Sequence, residues 1–263
     1  MNRRSFVGFG LGAAISAAGN REESLARSLA RELPCDGCEY LLLSISTGAV
    51  LAERWSDPAE PVALGSLVKP FVAIAYAESH GRAFPAFRCR AGECWLGAGH
   101  GEMEIRSALA HSCNSYFRQL AAVLDPGSTE TMTQRYSLRM PPATSPEVLI
   151  GRYGSWKASP REITLAYAEL GARRAEPCVQ LVMDGMRLCA ASGTASAARA
   201  RAAAKTGTAP CEHRRASNGD GLIAAVFPEQ MPDFVLLVRG HGAPGAQVAG
   251  WTAPFFRAVN FAR

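Results

Sequence analysis

The chain has 263 residues, of which 48% are hydrophobic and 19% are charged, and these proportions are those of a globular protein with an apolar core. The formal net charge of +5 suits anionic surroundings. No basic stripe with interleaved aromatic side chains is present, so the composition does not favour nucleic acid as a partner.

The N-terminus predicts an export signal over residues 1–19. Its sequence, MNRRSFVGFGLGAAISAAG, has paired arginines, an apolar stretch and then small residues suited to cleavage. Arg3-Arg4 followed by Ser5-Phe6 resembles the twin-arginine type of bacterial signal. A retained anchor is the alternative, although a membrane helix needs about 20 apolar residues. We therefore expect an exported protein, in the periplasm or on the outer face of the cytoplasmic membrane.

The chain has eight cysteines, which is consistent with export. Two close pairs occur, Cys35 with Cys38 and Cys89 with Cys94. We expect a Cys89–Cys94 disulfide across a short loop, and the alternative is one zinc ion bound by the four thiolates. A redox role for the first pair lacks the expected βαβ context. The sequence assigns no cofactor and no metal.

The first predicted elements come from the N-terminal third of the chain. Residues 20–38 form a lead-in segment with a polar helix. Residues 39–46 read as a buried strand, and a Thr-Gly turn returns the chain as a second strand over 49–55. Residues 66–79 predict a helix that is apolar nearly all round and hence buried on most sides. Residues 81–101 carry Gly, Pro and Cys and predict irregular structure.

The remaining elements predict an α+β fold. Strands near both ends of the chain, with helices between them, favour one antiparallel sheet flanked by helices and an inserted helical lobe. We assign 39–80 and 190–263 to the sheet lobe and 81–189 to the helical lobe. Helices are predicted at 104–111, 115–124, 159–174, 176–192 and 251–263, and strands at 202–210, 221–229 and 233–241.

One pair of residues indicates nucleophilic chemistry. Only three lysines occur among the 28 Lys and Arg residues, and Lys69 lies in an apolar stretch, three residues after Ser66. Residues three apart share a helix face, so the hydroxyl and the amine could meet at hydrogen-bond distance. A serine hydroxyl needs a base to become a nucleophile, and burial can keep a lysine neutral enough to act as that base.

Two other short motifs could complete such a site. Ser112 and Asn114 flank Cys113 between two predicted helices, where an extended or turn segment would direct the two polar side chains to one point and Cys113 into the core. Alone, this motif could equally be a helix N-cap. Residues 205–207, Lys-Thr-Gly, lie on a predicted strand, where glycine often marks the close approach of another backbone. Alone, they could be an ordinary strand end.

The ordered set S-x-x-K, S-x-N, K-T-G resembles the penicillin-binding protein transpeptidases and the serine β-lactamases. The segments SISTGAVLAERW, GAGHGEMEIRSALAHSCNSYF, ASPREITLAYAEL and SGTAS also resemble transpeptidase segments, so the likeness covers residues 39–263. It implies a β-lactamase/transpeptidase-like α+β fold. It also implies a D,D-transpeptidase or D,D-carboxypeptidase that acts on D-Ala-D-Ala stem peptides of peptidoglycan, with β-lactams as inhibitors.

The resemblance assigns the catalytic roles to four residues. Ser66 would be the acylated nucleophile and Lys69 the general base. Ser112 would relay protons to the leaving amine, and Asn114 would bind the substrate amide.

The resemblance also assigns the substrate-binding roles. Lys205 and Thr206 would engage the terminal carboxylate, and Gly207 would allow close packing. The backbone N–H groups of Ser66 and Thr208 would form the oxyanion hole.

Two alternatives stay open. A class D β-lactamase usually has an apolar residue in place of Asn114 and a Y/F-G-N motif, whereas Ser155 follows the Tyr-Gly here. No pattern after Ser112 resembles the glutamate-bearing loop of class A enzymes. A non-catalytic penicillin-sensing or scaffold domain is the second alternative. Larger penicillin-binding proteins carry an N-terminal module where this chain has 20–38, so we expect a polymerase or scaffold protein to bind through another surface, or not at all.

Overall fold

The computed structural model describes residues 10–33, 37–124, 126–139, 145–211 and 219–259. Its helices are α1 (Gly10–Glu32), α2 (Lys69–His80), α3 (Ile105–Ala110), α4 (Asn114–Ala121), α5 (Pro126–Tyr136), α6 (Pro146–Leu149), α7 (Pro160–Ala172), α8 (Pro177–Ala191), α9 (Gly245–Trp251) and α10 (Ala253–Ala258). Its strands are β1 (Cys38–Ser44), β2 (Val50–Arg54), β3 (Val62–Ala63), β4 (Phe87–Cys89), β5 (Gly101–Met103), β6 (Lys157–Ala158), β7 (Ala203–Ala209), β8 (Asp220–Phe227) and β9 (Phe234–Gly240).

A five-stranded antiparallel sheet joins the two ends of the chain. Its strand order is β2-β1-β9-β8-β7, which leaves β7 at one edge. Strand β1 pairs with β9 in unbroken register, from Cys38 opposite Gly240 to Ser44 opposite Phe234. This pairing confirms the prediction that the N-terminal hairpin and the C-terminal strands form one sheet in an α+β fold.

Both faces of the sheet are covered. Side chains alternate along β1, so Leu41 and Leu43 enter one core with Phe71, while Leu42 enters a second core with Leu29 of α1. Because neither face is exposed to water, the central strands are continuous apolar runs rather than alternating ones. The lead-in helix therefore packs onto the sheet.

Helix α2 passes through the first core. Every residue from Lys69 to Ala77 is buried, as the apolar sequence predicted. The Tyr167 hydroxyl of α7 donates a hydrogen bond of 2.9 Å to the Leu67 carbonyl, directly before α2. The buried helix and this hydrogen bond thus fix the position of residues 65–68.

Several element predictions need correction. Helix α1 begins at Gly10, inside the predicted export signal, and residues 1–9 lie outside the described residues. The helix predicted at 251–263 is α10, which begins at Ala253 and ends at Ala258, and residues 260–263 lie outside the described residues. The preceding short helix α9 was not predicted. Strands β4 and β5 form a small hairpin at the borders of the segment predicted to be irregular. Helix α5 was not predicted, because its sequence is polar and opens with Pro-Gly.

Candidate active site

The turn that carries Ser66 packs directly on the edge strand β7. Residues Gly65–Val68 form a 3-10 turn that leads into α2, so the predicted helix is present but its first turn is tighter than an α-helix. Gly65 has a φ of +51°, and a Cβ there would lie 2.6 Å from the Thr208 carbonyl oxygen. Only glycine fits this left-handed and crowded position.

Lys69 is fully buried, and its amine faces the second motif. The Nζ atom donates to the Ser112 carbonyl at 2.8 Å, to the Ser112 hydroxyl at 3.3 Å and to Asn114 Oδ1 at 2.6 Å. Among the residues that the structure describes, no hydrogen bond joins the Ser66 hydroxyl to this amine. The expected Ser66–Lys69 hydrogen bond is therefore wrong for this structure, because the amine is already satisfied by Ser112 and Asn114.

The electrostatic surroundings favour a neutral Lys69. Burial holds the pKa of Lys69 well below its ordinary value of 10.5, and the neighbouring charge of Lys205 lowers it further. Burial also lowers the pKa of Lys205, to about 8. Two amines close together in a buried site cannot both easily hold a proton, so Lys69 can accept one at moderate pH.

The S-x-N motif lies between α3 and α4. Ser112 has a left-handed backbone with a φ of +52°, and Cys113 caps the N-terminus of α4 by accepting a hydrogen bond from the Tyr116 N–H at 3.4 Å. Cys113 is fully buried, as predicted, while Ser112 and Asn114 face the cleft. The cap is thus provided by the thiol, and the two polar side chains are left for the site.

The Lys-Thr-Gly motif lies on β7 as predicted, but its lysine does not line the cleft. Lys205 is fully buried and donates to the Ser112 hydroxyl at 2.8 Å and to the Thr206 carbonyl at 2.7 Å. The predicted engagement of a substrate carboxylate by Lys205 and Thr206 stays a prediction, and of these two residues only Thr206 lines the cleft. A Cβ on Gly207 would lie 2.7 Å from the Leu64 carbonyl oxygen, which fits the predicted role in close packing.

These elements surround one cleft of about 570 Å³. The predicted residues in its lining are Ser66, Ser112, Asn114, Thr206, Gly207 and Thr208. Trp95, Tyr153 and Thr194 also line the cleft and were not among the predicted site residues. Thr194 belongs to the SGTAS segment, which was a usable signal, and its hydroxyl lies 2.5 Å from that of Thr206. Tyr153 is the tyrosine of the Tyr-Gly pair that was compared with the Y/F-G-N motif, which was a partial signal, whereas Trp95 is an exposed aromatic with no pattern that could have identified it.

A cluster of sulfur and nitrogen atoms lies behind the S-x-N motif. One potential ligand atom from each of Cys89, Cys94, His100 and Cys113 lies within 4.8 Å of the other three. Neither Cys89 nor Cys94 forms a disulfide, so the predicted Cys89–Cys94 disulfide is wrong for this structure. The reason is the direction of the thiols. Cys89 Sγ contacts His100 Nδ1 at 3.6 Å, whereas Cys94 Sγ lies 4.0 Å from Cys113 Sγ.

Cys35 lies outside the described residues, and Cys38 begins β1 and is not one of the four residues of this cluster. The predicted alternative, one zinc ion bound by the four thiolates of the two close pairs, therefore does not match the four residues of this cluster. The residues that could hold a metal ion instead combine the loop at 89–100 with the middle residue of the S-x-N motif.

The described residues contain no helix long and apolar enough to cross a membrane. The chain matches no protein-family model and no curated protein sequence. Its structure is similar to that of the penicillin-binding protein PBP2 of Helicobacter pylori, solved in a complex with MreC, at a TM-score of 0.76 and 15% identity. The match covers 90% of this chain and 62% of that one, so this chain spans less than two thirds of the H. pylori protein.

Isolated domains match over nearly their whole length. The transpeptidase domain of Burkholderia pseudomallei penicillin-binding protein 3 gives a TM-score of 0.71 at 16% identity, with 93% of this chain and 95% of that one covered. The transpeptidase domain of FtsI4 from Legionella pneumophila gives 0.67 at 15% identity, with 92% and 96% covered. The chain therefore has the fold of the transpeptidase domains of penicillin-binding proteins.

Proposed function

We propose that the protein is a penicillin-binding serine D,D-peptidase that forms an acyl-enzyme on Ser66 and acts on D-Ala-D-Ala peptidoglycan stem peptides. The observation that carries the proposal is the convergence of three distant motifs on one cleft. Lys69 of α2 and Lys205 of β7 both contact Ser112, which lies in the turn before α4. A lysine with only a structural role would not require a second buried lysine that donates to the same serine hydroxyl.

Acylation would require the Ser66 hydroxyl to move to hydrogen-bond distance of the Lys69 amine, and the later proton transfer would use the Lys69–Ser112 contact. The neutral Lys69 amine takes the proton of the Ser66 hydroxyl as Oγ attacks the carbonyl carbon of the penultimate D-Ala. The tetrahedral intermediate collapses, the C–N bond breaks, and the proton passes from Lys69 through the Ser112 hydroxyl to the departing D-Ala amine. The 3.3 Å contact between Lys69 Nζ and Ser112 Oγ is a suitable route for this proton. Attack on the ester by an amine or by water then restores Ser66.

Substrate binding would use the edge of the sheet. The terminal carboxylate meets the Thr206 hydroxyl, with the charge of Lys205 behind it, and the Asn114 amide binds the peptide. The backbone N–H groups of Ser66 and Thr208 serve as the oxyanion hole, which requires the turn and β7 to lie as close as Gly65 and Thr208 do. A β-lactam mimics the same D-Ala-D-Ala end and traps Ser66 as an ester.

The setting of the reaction is part of the proposal. The pattern of residues 1–19 supports export, to the periplasm or to the outer face of the cytoplasmic membrane. H. pylori PBP2 is solved with MreC, and a peptidoglycan synthase complex that coordinates polymerization and crosslinking also has this fold. A scaffold protein or a cell-wall polymerase is therefore the partner class that we propose.

A fluorescent penicillin tests the proposal. Purified wild-type protein should carry the label on Ser66, located by mass spectrometry of the labelled peptide, and Ser66→Ala should carry none. Ser79→Ala is the matched control, because Ser79 is exposed, lies outside the cleft and bonds through its hydroxyl only within α2, so it should not affect labelling.

The outcomes separate the alternatives. An unlabelled wild-type protein with a cooperative melting transition would indicate the scaffold domain. A label that is lost rapidly, with hydrolysed penicillin accumulating, would indicate a β-lactamase. A pentapeptide stem assayed with and without an amine acceptor then distinguishes transpeptidase from carboxypeptidase.

A further inference from the structure

The cluster of Cys89, Cys94, His100 and Cys113 has the spacing of a metal site. A tetrahedral zinc ion has Zn–S distances of about 2.3 Å and Zn–N distances of about 2.0 Å, which place neighbouring ligand atoms roughly 3.5–3.8 Å apart. The Cys89 Sγ to His100 Nδ1 distance is 3.6 Å and the Cys94 Sγ to Cys113 Sγ distance is 4.0 Å. All four ligand atoms lie within 4.8 Å of one another, so a small inward movement would close the shell.

We propose that these four side chains bind one zinc ion, which ties the loop at 89–100 to the S-x-N motif through Cys113. Three thiolates and one imidazole form a ligand set typical of structural zinc sites, in which the protein supplies all four ligands. Calcium and magnesium prefer oxygen ligands, and the cluster contains none. This inference concerns metal binding and does not require the proposed enzymatic activity.

The surroundings support bound thiolates. Cys89 is 3% exposed and Cys113 is fully buried, so water has little access to the centre. The Asn114 N–H donates to Cys94 Sγ at 3.1 Å, and the Tyr116 N–H donates to Cys113 Sγ at 3.4 Å. Such N–H donors orient metal-bound thiolates and offset their negative charge.

His100 has an otherwise unexplained environment. Its Nδ1 faces the Cys89 thiol, and its Nε2 is buried without a hydrogen-bond partner in the described part of the chain. Burying a polar ring without strong partners costs free energy, and a bond from one nitrogen to a metal would offset that cost. The Trp95 indole covers this region and donates to the His111 carbonyl at 3.2 Å, which holds the loop over the motif.

The position of Cys113 gives the ion a consequence for the cleft. Cys113 separates Ser112 from Asn114, and both of these residues contact the Lys69 amine. Fixing the Cys113 sulfur fixes the turn from which both side chains project. Cys113 is thus a positioning residue, and this part of the inference rests on the proposed function.

The first test measures metal directly. The full chain should be purified under reducing conditions, and its zinc content measured by inductively coupled plasma mass spectrometry. We expect one zinc ion per chain, retained by wild type and lost in Cys94→Ser and His100→Ala. Cys178→Ser is the matched control, because Cys178 is a half-buried free thiol outside the cluster. His100→Cys should keep the metal, because thiolate is also a zinc ligand.

A second measurement avoids dependence on variants that fail to fold. Wild-type protein stripped with a chelator should be titrated with Co²⁺ alone, and thiolate-to-cobalt charge-transfer absorption should appear and saturate at one equivalent. The proposal is overturned if wild type takes up neither metal or if Cys94→Ser binds zinc as wild type does.

The last measurement tests positioning. Removal of zinc should lower the rate of penicillin acylation at least tenfold, and added Zn²⁺ should restore it, because supporting ligands of this kind typically affect function by about 10–100-fold. Equal rates with and without zinc would overturn the positioning role. Stoichiometric zinc in a protein that penicillin never labels would instead contradict the proposed function and leave the metal site standing.

Discussion

The two walls of the cleft are built in different ways. The first wall, β7 with the turn at 65–68, is backbone packed on backbone, since glycines at 65 and 207 leave no room for a side chain. The second wall is the loop at 89–101 with the turn at 112–114. Its only strand pairing in the described structure is the short β4–β5 hairpin. Thiols, an imidazole and an indole supply many of its other contacts, together with backbone turns and hydrogen bonds to Glu93. Steric fit therefore determines the first wall, whereas side-chain chemistry determines the second.

Two buried amines connect the walls. Lys69 extends from α2 and Lys205 from β7, and both donate to Ser112 on the second wall. These two lysine contacts with Ser112 form the junction between the walls. The catalytic geometry thus depends on the junction as well as on each wall. Substitutions at Lys69, Gly207, Lys205 and Thr194 should affect acylation in this order, from the largest effect to the smallest.

The largest effect is expected from Lys69→Arg. Arginine keeps the positive charge but cannot accept a proton, so the rate of penicillin acylation should fall by about 10³-fold. Lys157→Arg is the matched control, because Lys157 is exposed and should label as wild type does. The measurement is the time course of labelling, with melting temperatures to confirm folding. Acylation of Lys69→Arg at the wild-type rate would remove Lys69 from the role of base.

Gly207→Ala should break the first wall selectively. The added methyl group would lie 2.7 Å from the Leu64 carbonyl, so β7 and the Ser66 turn must separate, and acylation should fall by about 10²-fold. Zinc content should not change, because the cluster lies in the second wall. Gly250→Ala, whose new Cβ makes an ordinary contact of 3.6 Å, serves as the control. Loss of zinc together with activity would show that the walls are not independent.

This contrast also explains what the sequence could predict. The first wall follows from local patterns: a buried apolar helix that begins near Ser66, and a strand that carries Lys-Thr-Gly. The structure has both elements, and a single antiparallel sheet built from strands near both ends of the chain was correctly predicted, without the pairing of β1 with β9.

The second wall could not be predicted in the same way. Which of eight cysteines come together depends on tertiary packing, and the close spacing of Cys89 and Cys94 wrongly favoured a disulfide. Cys113 was correctly placed in the core, but its sequence gave no reason to pair it with a loop about 20 residues earlier. The orientation of Lys69 towards Ser112 likewise depends on contacts across the core and not on spacing along a helix.

Lys205→Ala should change the pH dependence of penicillin acylation, which tests whether the two amines of the junction are electrostatically coupled. The positive charge of Lys205 helps to hold the pKa of Lys69 below its usual value, so its removal should raise the pKa of Lys69. A base with a higher pKa stays protonated to higher pH, and the acidic limb of the acylation profile should therefore move to higher pH. The rate at neutral pH should also fall about tenfold, because Ser112 loses a charge-assisted hydrogen bond. If the acidic limb of the acylation profile lies at the same pH as in the wild type, the two amines are not electrostatically coupled.

The smallest effect is expected from Thr194→Val, which tests a third link between the walls. The Thr194 N–H donates to the Ala110 carbonyl at the end of α3 at 3.0 Å, while its hydroxyl lies 2.5 Å from that of Thr206 on β7. Valine keeps the shape but removes the hydroxyl, which also lies 3.3 Å from Cys189 Sγ, and a neutral hydrogen bond contributes about 1 kcal/mol. The apparent KM for penicillin should rise about fivefold, with little change in the limiting acylation rate, because Thr206 loses orientation while the base and the nucleophile are untouched. Thr133→Val, which removes a hydroxyl bonded to Thr129 in α5, controls for general destabilisation. If Thr194→Val matches wild type in KM, the two lysines alone join the walls.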